Sequence, residues 1–170
     1  MVRTTYNSSG QSNPRVLDKI DRKILDLLQE DGRISNVKLA DMIHLSPTPC
    51  LERVKRLEKE GYIKKYVAIL EPKMLNSALV SFIEVSLGRT TTEAFDKFSD
   101  VILKMDEVQE CHMVAGGFDY LIKVRTRDMD HYRRFLSEKL ALIDDISNTH
   151  TYVVMEEIKA SSAIKVSDEI

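Results

Sequence analysis

The sequence predicts an α+β chain of two unlike units: three helices in a helix-turn-helix arrangement, then a βαββαβ unit that dimerises through its sheet. Three observations carry this reading. Apolar residues recur every three or four positions from Leu17 to Gly61, the helical period, and alternate from residue 79 onward, the strand period. Very short connections join the helical stretches, the last pair by about three residues. The charge is divided as well. Residues 1–66 hold 13 Lys and Arg against 9 Asp and Glu, whereas residues 67–170 hold 12 against 18, within a formal net charge of −2. A basic third joined to an acidic remainder assigns any polyanion to the first unit.

Residues 1–14, rich in Ser, Asn and Thr, read as a mobile arm. The first helix carries Leu17, Ile20, Ile24, Leu27 and Leu28, and Asp31-Gly32 ends it, the glycine taking a left-handed conformation. Ser35 is an N-cap for a short second helix with Leu39, Ala40 and Ile43 inward, and His44-Leu45 makes a brief turn. Ser46-Pro47 opens the third helix, with serine as cap and proline at the first helical position. On a helical wheel Cys50, Leu51, Val54 and Leu57 share one face, and Thr48, Pro49, Glu52, Arg53, Arg56 and Lys59 the other. The helix-turn-helix domain thus spans 15–66, followed by a linker over 67–76.

From 77 to 160 the pattern gives a strand at 79–87 and a helix at 92–105 with Phe95, Phe98, Ile102 and Met105 on one side. Strands at 108–116 and 118–126 follow, joined by Gly116-Gly117 as a hairpin, then a helix at 129–142 and a last strand at 148–158. The order is that of the ferredoxin-like unit, with both helices on one sheet face. Both strand faces are apolar, Tyr120, Ile122 and Val124 alternating with Leu121, so a second sheet has to cover the open face. Residues 161–170 form a tail.

Several function classes fall away. The 170 residues contain no apolar run near the roughly 18 that a spanning helix needs, and the N-terminus lacks a secretory core, which places the chain in the cytoplasm. Cys50 reads as a small core residue, and Cys111 as core-facing. Neighbours on a strand point to opposite faces, so Cys111 and His112 make no nucleophile–base dyad. His44, His112, His131 and His150 show no metal-ligand spacing, and no glycine-rich phosphate loop is present. The reading is therefore a non-enzyme with no catalytic residues, no metal and no cofactor. The candidate DNA-facing set is Arg53 and Arg56 on the third helix, Ser46, Thr48 and Pro49 at its start, and Arg33, Ser35 and Asn36 at the start of the second.

Three runs in the first unit, Leu17 to Leu25, Asp31 to Ser35 and Ser46 to Val54, resemble the leucine-responsive regulatory (Lrp/AsnC, feast/famine) family. So do Gln109 to His112, Gly116 to Leu121 and Thr151 to Glu157 in the second, closest to the global leucine-responsive branch. The resemblance implies a transcription regulator of double-stranded DNA, associated with the nucleoid, whose dimers assemble into octamers and whose binding or assembly responds to a small amino acid. The alternative is an architectural, DNA-wrapping protein with little effector response. By motif position the effector set is Met113, Gly116, Gly117, Phe118, Asp119, Met129, Thr151, Tyr152, Val153 and Val154. Family members often carry Gly-Asp-Phe/Tyr-Asp in the turn, where Gly117 here replaces the first Asp. Asp119 remains to meet the ammonium, and Met113, Met129 and Val154 suit leucine or methionine.

Overall fold

The computed structural model describes residues 16–166; the predicted arm 1–14 and the last four residues lie outside them. Contacts divide the described residues into a helical unit, 16–69 together with 160–166, and a sheet unit spanning Leu70–Lys159.

In the helical unit, α1 spans Lys19–Glu30, α2 Asn36–Met42 and α3 Pro47–Lys59. Asp18 caps α1 reciprocally: its carboxylate accepts the Asp21 N–H at 2.8 Å, and the Asp21 carboxylate accepts the Asp18 N–H at 3.3 Å. Such a box satisfies two donors that the helix itself leaves open. Ser35 caps α2 by accepting the Lys38 N–H at 3.2 Å. The end of α1 differs from expectation. Among the described glycines only Gly61 has positive φ, so Gly32 is not left-handed; instead the Asp31 side chain takes the Arg33 N–H at 2.9 Å and turns the chain.

The left-handed residues stand after the other two helices. At the end of α2, His44 has φ 56, with Leu45 N–H bonded to Ala40 O at 2.9 Å and His44 N–H to Asp41 O at 3.1 Å. Gly61, with φ 81, repeats the pattern after α3, where Tyr62 and Gly61 N–H groups bond Leu57 and Glu58 carbonyls. Both are Schellman closures, which satisfy the last carbonyls of a helix and reverse the chain sharply. Ile24, Leu39, Ala40, Ile43, Cys50 and Leu57 form the core. Leu51, expected inside, is 41% exposed.

The sheet unit begins with a single 3-10 turn, Pro72–Leu75, and holds β1 (Leu79–Leu87), α4 (Thr92–Ile102), β2 (Val108–Met113), β3 (Tyr120–Thr126), α5 (Met129–Glu138) and β4 (Ile146–Val153). Strand order is β2-β3-β1-β4, with every pairing antiparallel, which is the ferredoxin-like arrangement. Ile83 lies opposite Ile122, and with Val85, Val124 and Tyr120 it packs beneath Phe98, Ile102, Tyr132 and Phe135. Several boundaries depart from the sequence reading, and α4 stops at Ile102 rather than 105. The β2–β3 connection takes six residues, 114–119, with neither Gly116 nor Gly117 at positive φ, so it is no two-residue hairpin. Helix α5 stops at Glu138 before a 3-10 turn, and β4 starts two residues early and ends at Val153.

The open sheet face is less apolar than predicted. Its cross-strand rows read Glu110–Lys123–Phe82–Tyr152 and His112–Leu121–Glu84–His150, with Arg125 beside Val80. Phe82 and Leu121 are half-buried, and charges flank them. Ile122 and Val124 belong wholly to the helix-covered core.

Candidate functional site

The start of α3 is the exposed, polar end of a braced helix. Ser46 sits at the N-cap in extended conformation, yet its hydroxyl makes no capping bond, and Pro47 follows at the first turn. Thr48 is exposed and Pro49 half-buried. Pro47 and Pro49 carry no N–H and the Cys50 N–H bonds Ser46 O at 3.3 Å, so the Thr48 N–H is the first-turn donor left open at this end. Asn36 serves as a brace: its amide donates to the Pro47 carbonyl at 2.7 Å, tying the start of α2 to the start of α3. Ser35 is engaged as the α2 cap, and Arg33 is exposed.

The structure engages Arg53 and Arg56, both expected to face DNA, in ion pairs within the helical unit. Arg53 Nη1 lies 2.6 Å from Asp18 Oδ2 and 2.7 Å from Asp21 Oδ1, and Arg56 Nη2 lies 2.6 Å from the same Asp21 oxygen. Asp21 is 1% exposed, and the two arginine side chains are 25–28% exposed. The reason is positional. Arg53 stands three residues after Cys50 and four before Leu57, both fully buried, so it lies along the inner stripe of α3. Four charges thus balance between α1 and α3. Burial pushes the Asp18 carboxyl up, but the Asp21 N–H and the Arg53 guanidinium outweigh it and hold the group below its ordinary value. The Asp18 and Asp21 carboxylates likewise raise the Arg53 guanidinium against a smaller effect of burial.

The outward face of α3 is instead Thr48, Leu51, Glu52, Lys55 and Lys59. Lys55, exposed on this face, is not among the residues expected to face DNA, although the steps from Thr48 to Glu52, Lys55 and Lys59 follow the helical spacing of three to four.

The ten candidate effector residues do not converge in one chain. Met113 lies opposite Tyr120, the first residue of β3, and the 114–119 loop is at that end. Met129 follows Thr126 at the far end, where Val153 pairs with Ser81 and the Val154 N–H bonds Val80 O at 2.9 Å. Six strand residues, about 20 Å, separate the ends. Thr151 and Tyr152 face opposite ways: Thr151 Oγ1 meets the Tyr132 hydroxyl at 2.6 Å on the helix side, whereas Tyr152 donates to Glu84 Oε1 at 3.1 Å on the open side.

Asp119 has an internal task. Its Oδ2 accepts the Leu87 N–H at 2.7 Å, and its own N–H bonds Val85 O at 3.0 Å, pinning the loop to β1. One carboxylate oxygen is left for other partners. Gly116 and Gly117 adopt no positive φ, and a Cβ at either would meet nothing within 4 Å, so nothing inside the chain requires glycine there. Phe118 is half-buried, Val153 exposed, and Met113 and Met129 are more than half exposed. Cys111, expected in the core, pairs with Ile122 on the edge strand and is exposed, and His112 lies on the other face. No helix among the described residues is long and apolar enough to cross a membrane.

Comparison with known proteins agrees with the two units. Residues 17–64 match a winged helix-turn-helix DNA-binding model, and residues 80–164 match the Lrp/AsnC ligand binding domain. The chain is 49% identical over 158 residues to the leucine-responsive regulatory protein of Serratia marcescens, covering 92% of this chain and 96% of that one. It is 50% identical to the protein of the same name from Escherichia coli K12, over 88% of this chain and 92% of that one. Among solved structures, a transcriptional regulator from Neisseria meningitidis in complex with L-Met is 37% identical at a TM-score of 0.84, covering 88% and 96% of the two chains. AsnC of Escherichia coli is 29% identical at 0.79, covering 88% and 99%.

Proposed function

From the premise that the chain belongs to the Lrp/AsnC family of DNA-binding, ligand-responsive transcription regulators, we propose that it binds duplex DNA through the start of α3 and an apolar amino acid through a site shared between copies. The observation that carries the first part is the exposed start of α3, with the Ser46 hydroxyl uncommitted, on a helix braced from behind by Asp21. The Ser46 hydroxyl and the Thr48 N–H are placed to hold a phosphate. Thr48 and Pro49 meet base edges or backbone, and Arg33, Lys55 and Lys59 supply cations. Ser35 and Asn36 support this surface from within, and Arg53 and Arg56 orient the helix.

The distance between the two ends of the effector set supports a pocket made by two chains, one giving Met113 and the 116–119 loop, the other Met129 and Thr151–Val154. The unfilled space at Gly116 and Gly117 lets a ligand approach the backbone, whose N–H groups suit a carboxylate. The free oxygen of Asp119 suits an ammonium. The methionine-lined wall favours leucine or methionine, in keeping with the L-Met bound by the Neisseria relative. Phe82 and Leu121 on the open face call for a second sheet, giving dimers that assemble into octamers in the cytoplasm, on the nucleoid. On this reading the chain works by binding, without catalysis.

Calorimetry of the twenty amino acids against purified protein, with sedimentation and promoter binding in parallel, tests the proposal. Leucine or methionine should bind and shift assembly. Asparagine binding tighter than both would refute the apolar site. Promoter binding indifferent to every amino acid would favour a DNA-wrapping protein.

A further inference from the structure

The last described residues, 160–166, belong by their contacts to the helical unit, although they follow the sheet unit in sequence. Gln29 on α1 grips both backbone groups of a single residue there. Its Nε2 donates to the Ile164 carbonyl at 2.9 Å, and its Oε1 accepts the Ile164 N–H at 2.7 Å. A primary amide offers one donor and one acceptor side by side, so it takes the place of a strand neighbour for that residue. Two positions on, Val166 is half-buried and packs against the apolar core of the helical unit. The segment is neither helix nor strand, so these contacts on the helical unit are what order it.

We propose that residues 160–166 are a strap that holds the DNA-binding unit by a second chain crossing. The first crossing is at 69–70 and the second at 159–160. A unit on one tether samples many orientations; a second tether removes much of that freedom before binding and raises the effective concentration of one recognition helix once its partner has bound. Six residues, 154–159, lead from the end of β4 to the strap, and Val153 and Val154 at the start of that lead belong to the proposed effector set. An amino acid bound there acts on the root of the strap. This inference rests on the DNA-binding reading above, and docking of the strap can be measured without DNA.

The test uses the full chain, Gln29→Ala, Val166→Asp and a chain ending at Lys159. Amide exchange of free protein should show residues 163–166 protected at least tenfold in the wild type, with that protection lost in both point variants. On paired half-sites all three variants should bind about tenfold more weakly than wild type, whereas on a single half-site they should match it. The methionine or leucine response on paired sites should shrink in parallel. Free exchange of residues 163–166 in the wild type would overturn the strap. So would equal losses on single and paired sites, which would make Gln29 a support of the helical unit alone, or variants that bind paired sites like wild type. Failure of the wild type to bind DNA at all would refute the functional reading and leave the exchange result to decide docking.

Discussion

The two units use their polar side chains in opposite ways. In the helical unit nearly every polar group near the candidate interface is committed within the chain: Asp18 and Asp21 to two arginines, Asn36 to Pro47, Ser35 to α2. What remains free is a small exposed set at the start and along the outer face of α3. In the sheet unit the candidate residues are divided along the strands, and two of them, Met113 and Met129, are each more than half exposed with no polar tie from their side chains to the chain. On the proposed function, the difference teaches that a surface which must fit a rigid duplex is preorganised in one chain, whereas a site completed by assembly is left open until its second half arrives.

The largest expected effect comes from breaking the preorganised side. Asp21→Asn leaves two guanidiniums facing an uncharged amide, and removing one partner of such a buried network costs about 3–5 kcal/mol. Denaturation should show the helical unit unfolding early while the sheet unit melts as before; promoter binding disappears with it. A single unchanged transition would show that the ion-pair network does not hold α3. Next comes the open sheet face. Leu121→Glu should weaken self-association by about 2 kcal/mol or more, read by sedimentation, with the monomer still folded. Ile122→Glu, one residue along, should unfold the sheet unit, because that side chain is fully buried under the helices. The same outcome for both would erase the distinction between the faces.

A smaller effect is expected on α3. Lys55→Ala should reduce the slope of log affinity against log salt by about one and weaken all sequences alike, whereas Thr48→Ala should alter sequence preference. If both variants bound promoter DNA like wild type, the outer face of α3 would not be the DNA surface. The smallest effect is on acid stability. Asp18 titrates below its ordinary 3.8 when folded, so it stabilises the helical unit fully above about pH 4, and that contribution is lost as pH falls through the lowered folded value. Glu107 behaves likewise in the sheet unit from 4.5 downward: burial raises it, and Lys139 at 2.6 Å outweighs that. Asp18→Asn should flatten the acid limb of the helical transition alone, as followed by a probe in each unit.

Periodicity made most of the fold legible. The alternation over 79–87 marks β1 with its observed bounds, and the cap at Ser35 is where its hydroxyl predicts. The fate of Arg53 and Arg56 was hidden for a physical reason. A helical wheel says which face a residue occupies, but the carboxylates that capture these arginines lie 32 to 35 residues earlier on another helix. Gly32 misled because an aspartate before it closes the turn by side-chain bonding, and the 114–119 loop because two adjacent glycines need not adopt positive φ. Motif likeness named the effector residues, and strand register adds that Met113 and the 114–119 loop lie about 20 Å along β3 from Met129 and the end of β4.

If the pocket is shared as proposed, that separation along β3 has a genetic signature. Two alleles, one altered at Gly117 and the other at Met129, each fail to respond when alone, because every shared pocket then carries the same damage. Expressed together they form mixed assemblies, and wherever a sound 116–119 loop meets a sound Met129 from the other subunit, one pocket is intact. Partial recovery of the amino-acid response in such a merodiploid, absent when both lesions sit on one allele beside a second copy of itself, is the behaviour of complementing subunits.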